Sequence, residues 1–202
     1  MRIVRRKRRQ YKTGKIVIYG NSVAKVKKLA EELGCNAYFH DAVGKASMLA
    51  DFMAGKQRVI VATSALGMGV DIPDIRCIIH IDWPRTILDY AQESGRAGRD
   101  GLRSEAIIIG QERDERACDD KQTKAEQQLV QLYVEGEECT TRCRRRVLDA
   151  YLDGREGREG CEEGEERCDV CRTPDEEGEE DGGEDSSGAE EIDVVETEGE
   201  EA

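Results

Sequence analysis

The stretch VIVATSALGMGVDIPDIRCIIHI, residues 59–81, decides how this chain folds. Runs rich in Val and Ile lie at its two ends, and a loop containing Gly67 and Gly69 joins them. Short apolar runs bounded by turn residues are typical of strands that are buried on both faces of a sheet. We therefore predict two such strands, at 58–62 and 76–81, with the glycine loop at the carboxyl end of the first.

The same strand signal recurs on both sides of this stretch, at 15–20, 35–39 and 105–109. Helical patterns lie between several of these runs: one begins after Ser22, a typical N-cap residue, and others lie near 44–54 and 86–97. Alternating strands and helices favour an α/β fold, in which a parallel sheet is covered by helices on both faces. Ligands of such sheets bind at the carboxyl ends of the strands.

Charge is distributed unevenly along the 202 residues. The last 28 residues contain 15 acidic residues and no Lys or Arg, so without them the net charge of −13 becomes +2. A tract with so few apolar side chains cannot bury enough surface to fold, and we predict a disordered acidic tail at 174–202. No stretch approaches 18 apolar residues and no secretory signal is present, so we expect an intracellular protein without a membrane partner.

The first ten residues, MRIVRRKRRQ, include six basic ones. Such a run has three interpretations: a nuclear localisation signal, a nucleic-acid-binding patch, or one face of a connecting helix. We favour a connector at 1–13.

Five of the eight cysteines lie between Cys139 and Cys171, and in a reducing compartment such a cluster is more typical of a metal site than of disulfides. Four thiolates in a tetrahedron suit a structural Zn²⁺, in which no ligand position is left open. The candidates, supplied from a helix start and a hairpin, are Cys143, Cys161, Cys168 and Cys171.

The segment QESGRAGR, residues 92–99, carries two arginines three residues apart. Positions i and i+3 share a face of a helix, so Arg96 and Arg99 are predicted to project together at a polyanion such as a phosphate. The alternative is a solvated arginine pair on a surface helix.

Four sequence motifs, listed at the end of this paragraph in chain order, resemble motifs IV, V and VI of superfamily 2 helicases. The resemblance is closest to the RecQ family. The resemblance implies a second RecA-like lobe at 14–111 and a helical zinc-binding subdomain at 112–173. RecQ proteins usually space their last three zinc cysteines closely, whereas six residues separate Cys161 from Cys168 here, so Cys139 is an alternative ligand. The motifs are IVIYGNS (16–22), VIVATSALGMGVDIP (59–73), IIHIDWPR (78–85) and YAQESGRAGRDG (90–101).

The resemblance also implies roles for individual residues. Arg96 and Arg99 would contact the γ-phosphate of ATP, with Arg99 as the better arginine-finger candidate. Two sets complete the implied sites: Gly69, Asp71 and Gln92 near the nucleotide, and Asn21, Ser22 and Thr63 on the backbone of single-stranded or junction DNA. The alternatives are a simple N-cap at Ser22 and a tight turn at the glycines.

The sequence contains neither a GxxxxGK[ST] motif nor a DExH motif, which hold the phosphates and Mg²⁺ of ATP in such motors. We expect ATP with Mg²⁺ to bind only with a first RecA-like lobe, in cis or in trans. By this interpretation the chain is the C-terminal motor lobe of a nuclear, ATP-dependent 3′ to 5′ DNA helicase that does not unwind DNA alone. The alternative is a noncatalytic nucleic-acid or partner-binding module, or a degenerate helicase fragment.

Overall fold

The computed structural model describes residues 2–67, 71–109, 121–136 and 143–173. Three predictions lie outside these residues: the nucleotide contact of Gly69, the alternative zinc ligand Cys139 and the disordered tail at 174–202.

The predicted parallel sheet is confirmed. Its five strands lie in the order β2-β3-β1-β4-β5, and every pair of neighbours is parallel. The three central strands, β1, β3 and β4, are buried along their whole length, as their uninterrupted apolar runs predict. The strands are β1 Lys15–Tyr19, β2 Asn36–Tyr38, β3 Val59–Ala62, β4 Ile75–His80 and β5 Glu105–Ile108.

Helices cover both faces of this sheet. On one face α1 (Arg2–Gln10) and α2 (Val23–Leu33) pack through side chains such as Val4 and Val26. On the other face α3 (Lys45–Met53) packs through Phe52, and a short 3-10 helix, Ser64–Gly67, follows β3 directly. The α/β prediction is therefore confirmed on both faces.

A third apolar cluster joins the lobe to the helices that follow it. In this cluster α4 (Ile87–Ser94) packs against α5 (Lys121–Glu135) and α6 (Arg144–Asp153). The hydroxyl of Tyr133 donates a hydrogen bond of 2.9 Å to the hydroxyl of Tyr90. α4 is therefore shared between the sheet and the helices that precede the cysteines.

The basic N-terminal segment is a helix that packs on the lobe, not an extended linker. Val4 is buried in the sheet core, and Lys7 forms an ion pair of 2.7 Å with Glu105 of β5. Whether the segment also connects to a first lobe stays a prediction.

Helices long and apolar enough to span a bilayer are absent from the described part of the chain.

Candidate functional site

A groove opens at the carboxyl ends of the central strands. β3 and β4 lie on opposite sides of β1, so the order in which strands are added to the sheet reverses here. Parallel α/β folds bind ligands at such switch points. The groove brings together Asn21 from motif IV and Thr63 from motif V, and their contact with the DNA backbone stays a prediction. Its lining residues are Tyr19, Gly20, Asn21, Thr63, Ser64, Pro84, Arg85, Asp89 and Glu93.

Asn21 is held at the groove by the segment that follows β4. Its side-chain amide donates to the carbonyl of Trp83 at 2.7 Å, and its backbone N–H donates to Asp82 at 3.0 Å. Ser22 instead caps α2, because its hydroxyl accepts from the backbone N–H of Lys25 at 3.2 Å. The N-cap alternative for Ser22 is therefore what the structure contains, and a DNA contact by Ser22 stays a prediction.

The sequence analysis did not assign Arg85, Asp89 or Glu93 to the site. Glu93 lies between the groove and the sheet, where its carboxylate is 2.8 Å from Nε2 of the buried His80. The rings of Tyr19 and Tyr90 lie 5.3 and 5.2 Å from the His80 ring. His80 is therefore a core residue, and a polar residue in so apolar a strand was the signal that it needed a polar partner.

The predicted helix at 86–97 is shorter than expected. α4 ends at Ser94, and Arg96 and Arg99 lie in the turns that follow it. Gly98 has a φ of +65°, which a right-handed helix cannot contain, and its N–H donates to the carbonyl of Ile75 at 2.9 Å. The prediction that one helical face carries both arginines is therefore wrong. This segment, 95–100, is called the arginine turn below.

Both arginines nevertheless contact the same segment of chain. The Arg96 guanidinium donates to the carbonyl of Gly67 at the end of the 3-10 helix. Arg99 forms an ion pair of 2.8 Å with Asp71, four residues further along. The arginine turn of motif VI and the loop of motif V are therefore joined at two points.

The two arginines differ in how readily they could bind a ligand. The side chains of Arg99 and Asp71 are 41 % and 79 % exposed, and an ion pair this open contributes at most about 1 kcal/mol. Arg99 can therefore exchange Asp71 for a phosphate at little cost. Arg96 is half-buried and fixes the end of the 3-10 helix, while Gln92 is exposed on α4.

A third arginine, Arg76, contacts the C-terminal end of the arginine turn. Arg76 of β4 is buried, and its guanidinium contacts the carboxylate of Asp100 and, at 3.2 Å, the carbonyl of Leu102. Burial works against the charged carboxylate, but hydrogen bonds from the Leu102 amide and from Arg76 hold the pKa of Asp100 below its usual range. The turn therefore has a charged anchor at its C-terminal end.

The four predicted zinc cysteines come together. Their Sγ atoms all lie within 4.8 Å of one another, and that of Cys143 lies 3.6 Å from Cys161 and 3.9 Å from Cys168. A tetrahedron with Zn–S bonds of about 2.3 Å places its sulfurs about 3.8 Å apart, so this arrangement fits Zn²⁺. Cys143 is the N-cap of α6, at the predicted helix start. Cys171 lies in a turn, and Cys161 and Cys168 lie in irregular segments rather than in the predicted hairpin.

Hydrogen-bond donors favour thiolates at Cys161 and Cys168, whereas burial raises the pKa of Cys171. Cys161 Sγ accepts from the Arg145 guanidinium at 2.8 Å and from the backbone N–H of Cys168 at 3.3 Å. Burial raises the pKa of Cys143, whereas at Cys168 backbone amides outweigh burial and lower the pKa to about 7. Four thiolates this close repel one another unless a cation lies among them, so the donor set fits a metal.

Residues 1–101 match the family described as the helicase conserved C-terminal domain. The chain belongs to this family. Within it, the predicted resemblance to RecQ helicases is confirmed. This helicase lobe is 34% identical over 172 residues to the ATP-dependent DNA helicase RecQ of Pasteurella multocida, covering 78% of this chain and 26% of that protein.

A second relative is the ATP-dependent DNA helicase hus2/rqh1 of Schizosaccharomyces pombe, 32% identical over 157 residues, covering 71% of this chain and 12% of that protein. The lobe thus spans about a quarter or less of the length of these relatives. Among solved structures, the E. coli DEAD-box protein SrmB bound to RraA is 24% identical with a TM-score of 0.49, covering 54% of this chain and 69% of that one.

Proposed function

We propose that this chain is the C-terminal motor lobe of a RecQ-like, ATP-dependent DNA helicase of 3′ to 5′ polarity, which needs a first RecA-like lobe to hydrolyse ATP. The observation that carries the proposal is the junction of motifs V and VI, where Arg96 contacts Gly67 and Arg99 pairs with Asp71. Charge accumulates on the γ-phosphate oxygens during phosphoryl transfer, and an arginine supplied from a second lobe stabilises it.

In this mechanism Arg99 leaves Asp71 and binds the γ-phosphate when the two lobes close. Arg96 holds the motif V loop in register with the arginine turn and adds positive charge behind Arg99. Asp71, released from Arg99, is then available for the nucleotide ribose, with Gly69 and Gln92 as the other nucleotide contacts. The Mg²⁺ and the remaining phosphate contacts belong to the first lobe.

The groove is the proposed position of the DNA backbone. Asn21 and Thr63 line it, and Ser22 stands at the N-terminus of α2, where a phosphate is favoured by the helix dipole. Arg85, also in the groove, can contribute a positive charge to the same strand. We propose single-stranded or junction DNA as the substrate, and the nucleus as the location, because similar DNA helicases occur in eukaryotes.

Zn²⁺ is the proposed structural metal. Cys143, Cys161, Cys168 and Cys171 would hold it, and all four positions of the tetrahedron are then filled by protein. When bound, the metal supplies a cross-link between α6 and the turns that follow it.

ATP hydrolysis tests this proposal. We expect no turnover by the 202-residue chain alone and DNA-stimulated turnover when a RecQ-type first lobe carrying a P-loop is fused before it. In the fusion, Arg99→Ala should lower kcat by about a thousandfold or more while single-strand binding changes little, because the finger acts in the transition state.

Arg155→Ala is the matched control, because this arginine is also exposed and paired with a carboxylate but lies far from motif VI in sequence. Equal turnover by Arg99→Ala and the control would remove the finger assignment. A fusion that folds and binds DNA but never hydrolyses ATP would favour the noncatalytic module.

A further inference from the structure

One charged surface is not used by the proposed motor. Helix α1 carries five exposed arginines on nine residues, and four of them fall at the i, i+3, i+4, i+7 positions of one helical face. This arginine ridge consists of Arg2, Arg5, Arg6 and Arg9, with Arg8 beside it.

The opposite face of α1 fixes the ridge in place. Val4 is only 2 % exposed in the core beneath the sheet, and Lys7, 5 % exposed, is ion-paired with Glu105. The helix therefore cannot rotate without breaking its core contacts, and the arginines are held outward as a rigid row. Seven residues of helix extend about 10 Å, a length that faces about three successive phosphates of a DNA strand.

Within the part of the chain that the structure describes, the charge of the ridge is uncompensated. Among the described residues none forms an ion pair with the five arginines, whereas exposed cations elsewhere, such as Lys56 and Arg155, pair with Asp51 and Glu162. Helix stability does not explain the row either. Cations are unfavourable near a helix N-terminus, where Arg2 and Arg5 lie, and the first turn has no acidic residue.

The ridge is separate from the groove and from the arginine turn. α1 packs in the same cluster as α2, on one face of the sheet, whereas the 3-10 helix and Ala97 of the arginine turn pack in the cluster on the other face. A polyanion on the ridge would therefore be a second contact rather than an extension of the groove.

We propose that the arginine ridge of α1 binds the sugar-phosphate backbone of duplex DNA. The choice of nucleic acid rests on the proposed helicase function. Arginine forks bind phosphates bidentately, and a rigid row of them suits the regular phosphates of a duplex. Single-strand sites rely on exposed aromatic rings for stacking, and the ridge has only arginines. Insertion into a membrane surface would need the apolar face of α1, which is already buried.

Duplex binding by ridge variants tests the proposal. The probe is a short fluorescent DNA duplex, titrated with the zinc-loaded 202-residue chain over a series of salt concentrations. Arg5→Gln with Arg9→Gln should weaken binding and lower the slope of log affinity against log salt by about two, one for each lost phosphate contact. Gln supports a helix about as well as Arg, so folding is kept.

Lys56→Gln with Arg155→Gln removes the same charge from paired, exposed cations and should leave that slope unchanged. Arg5→Lys with Arg9→Lys should keep most of the slope but bind more weakly, because the charge stays while the bidentate fork is lost.

Equal losses in the ridge and control variants would overturn the proposal, as would ridge-dependent binding to phosphatidylserine vesicles without binding to the duplex. The proposed motor function fails separately, through ATP hydrolysis and through single-strand binding by a Thr63→Val variant. Duplex binding could depend on the ridge while the fusion protein never hydrolyses ATP. That result would support the ridge proposal and contradict the proposed motor function.

Discussion

The sheet lobe and the cysteine unit, residues 143–173, are held together by different physics. The lobe buries complete apolar side chains on both faces of the sheet, among them Phe52, Ile60 and Ile78. Within 143–173 the buried residues are Cys143 and Arg158, and α6 has no buried side chain. Hydrophobic burial is the main stabilising term of a domain, so we expect the lobe to fold by itself and the cysteine unit to need another source of stability.

Ion pairs and thiols take the place of a core in the cysteine unit. Arg158 bridges the carboxylates of Asp149 and Glu165, and Arg144 joins the carbonyl of Tyr133 to Asp169. These contacts fix the turns around the four sulfurs but bury little apolar area. We therefore expect the proposed Zn²⁺ to supply most of the folding free energy of this unit.

Removing the metal should give the largest difference in stability between the two regions. Zinc-site binding is worth about 10–16 kcal/mol in small metal-dependent folds, so a chelator, or Cys168→Ser, should unfold 143–173 while the sheet stays intact. Segment-resolved hydrogen exchange measures both regions in one experiment. Protection should be lost in α6 and retained in β1, β3 and β4.

Cys35→Ser provides the matched control, because this half-buried thiol lies outside the cluster and burial raises its pKa to about 11. It should release no zinc. Full protection of α6 after chelation would mean that ion pairs alone hold the unit.

A cavity in the sheet should destabilise the lobe and leave the cysteine unit unchanged. Ile78 is fully buried in the central strand β4, so Ile78→Ala should lower the free energy of unfolding of the lobe by about 2–5 kcal/mol without changing the zinc content. Leu88→Ala, at a side chain that is 45 % exposed, should change it by about 0.5 kcal/mol or less. Zinc loss in Ile78→Ala before the lobe unfolds would show that the two regions are not independent.

The smallest expected effect is a pH dependence of the stability that Asp100 contributes to the lobe. The lowered pKa of Asp100 means that its contribution is present above the unfolded carboxyl pKa of about 3.9 and is lost as pH falls through the folded value. The melting temperatures of the wild type and Asp100→Asn should therefore differ slightly at neutral pH and converge in acid. A difference in melting temperature that persists in acid would mean that the substitution acts through side-chain packing rather than through the charge of Asp100.

The two regions also differ in how far their sequence predicts them. Strands such as Val59–Ala62 are so apolar that they can only be buried, and the sheet could be predicted for that reason. The grouping of the cysteines predicted that they come together, but not the path of the chain from Cys161 to Cys168, along which Arg158 contacts two carboxylates.

The arginine turn marks a further limit of sequence reasoning. The predicted helix at 86–97 includes most of the QESGRAGR segment, whereas α4 ends at Ser94 and a tertiary hydrogen bond from Gly98 to Ile75 holds the turn that follows it. A Cβ at Gly98 would lie 2.4 Å from the hydroxyl oxygen of Ser104, so the close approach as well as the positive φ requires glycine. Contacts between distant segments of this kind leave no periodic signal. The partnership of Glu93 with His80 was missed for the same reason.

The hydroxyl bond between Tyr90 and Tyr133 gives α4 two neighbours, the sheet and the helices that lead to the cysteines. Thermodynamic linkage makes any coupling through such a shared element reciprocal. A nucleotide that displaces the end of α4 when it engages Arg99 would alter the affinity for zinc, and zinc occupancy would alter the affinity for that nucleotide by the same factor. The proposed Zn²⁺ would then regulate the proposed motor as well as stabilise the fold.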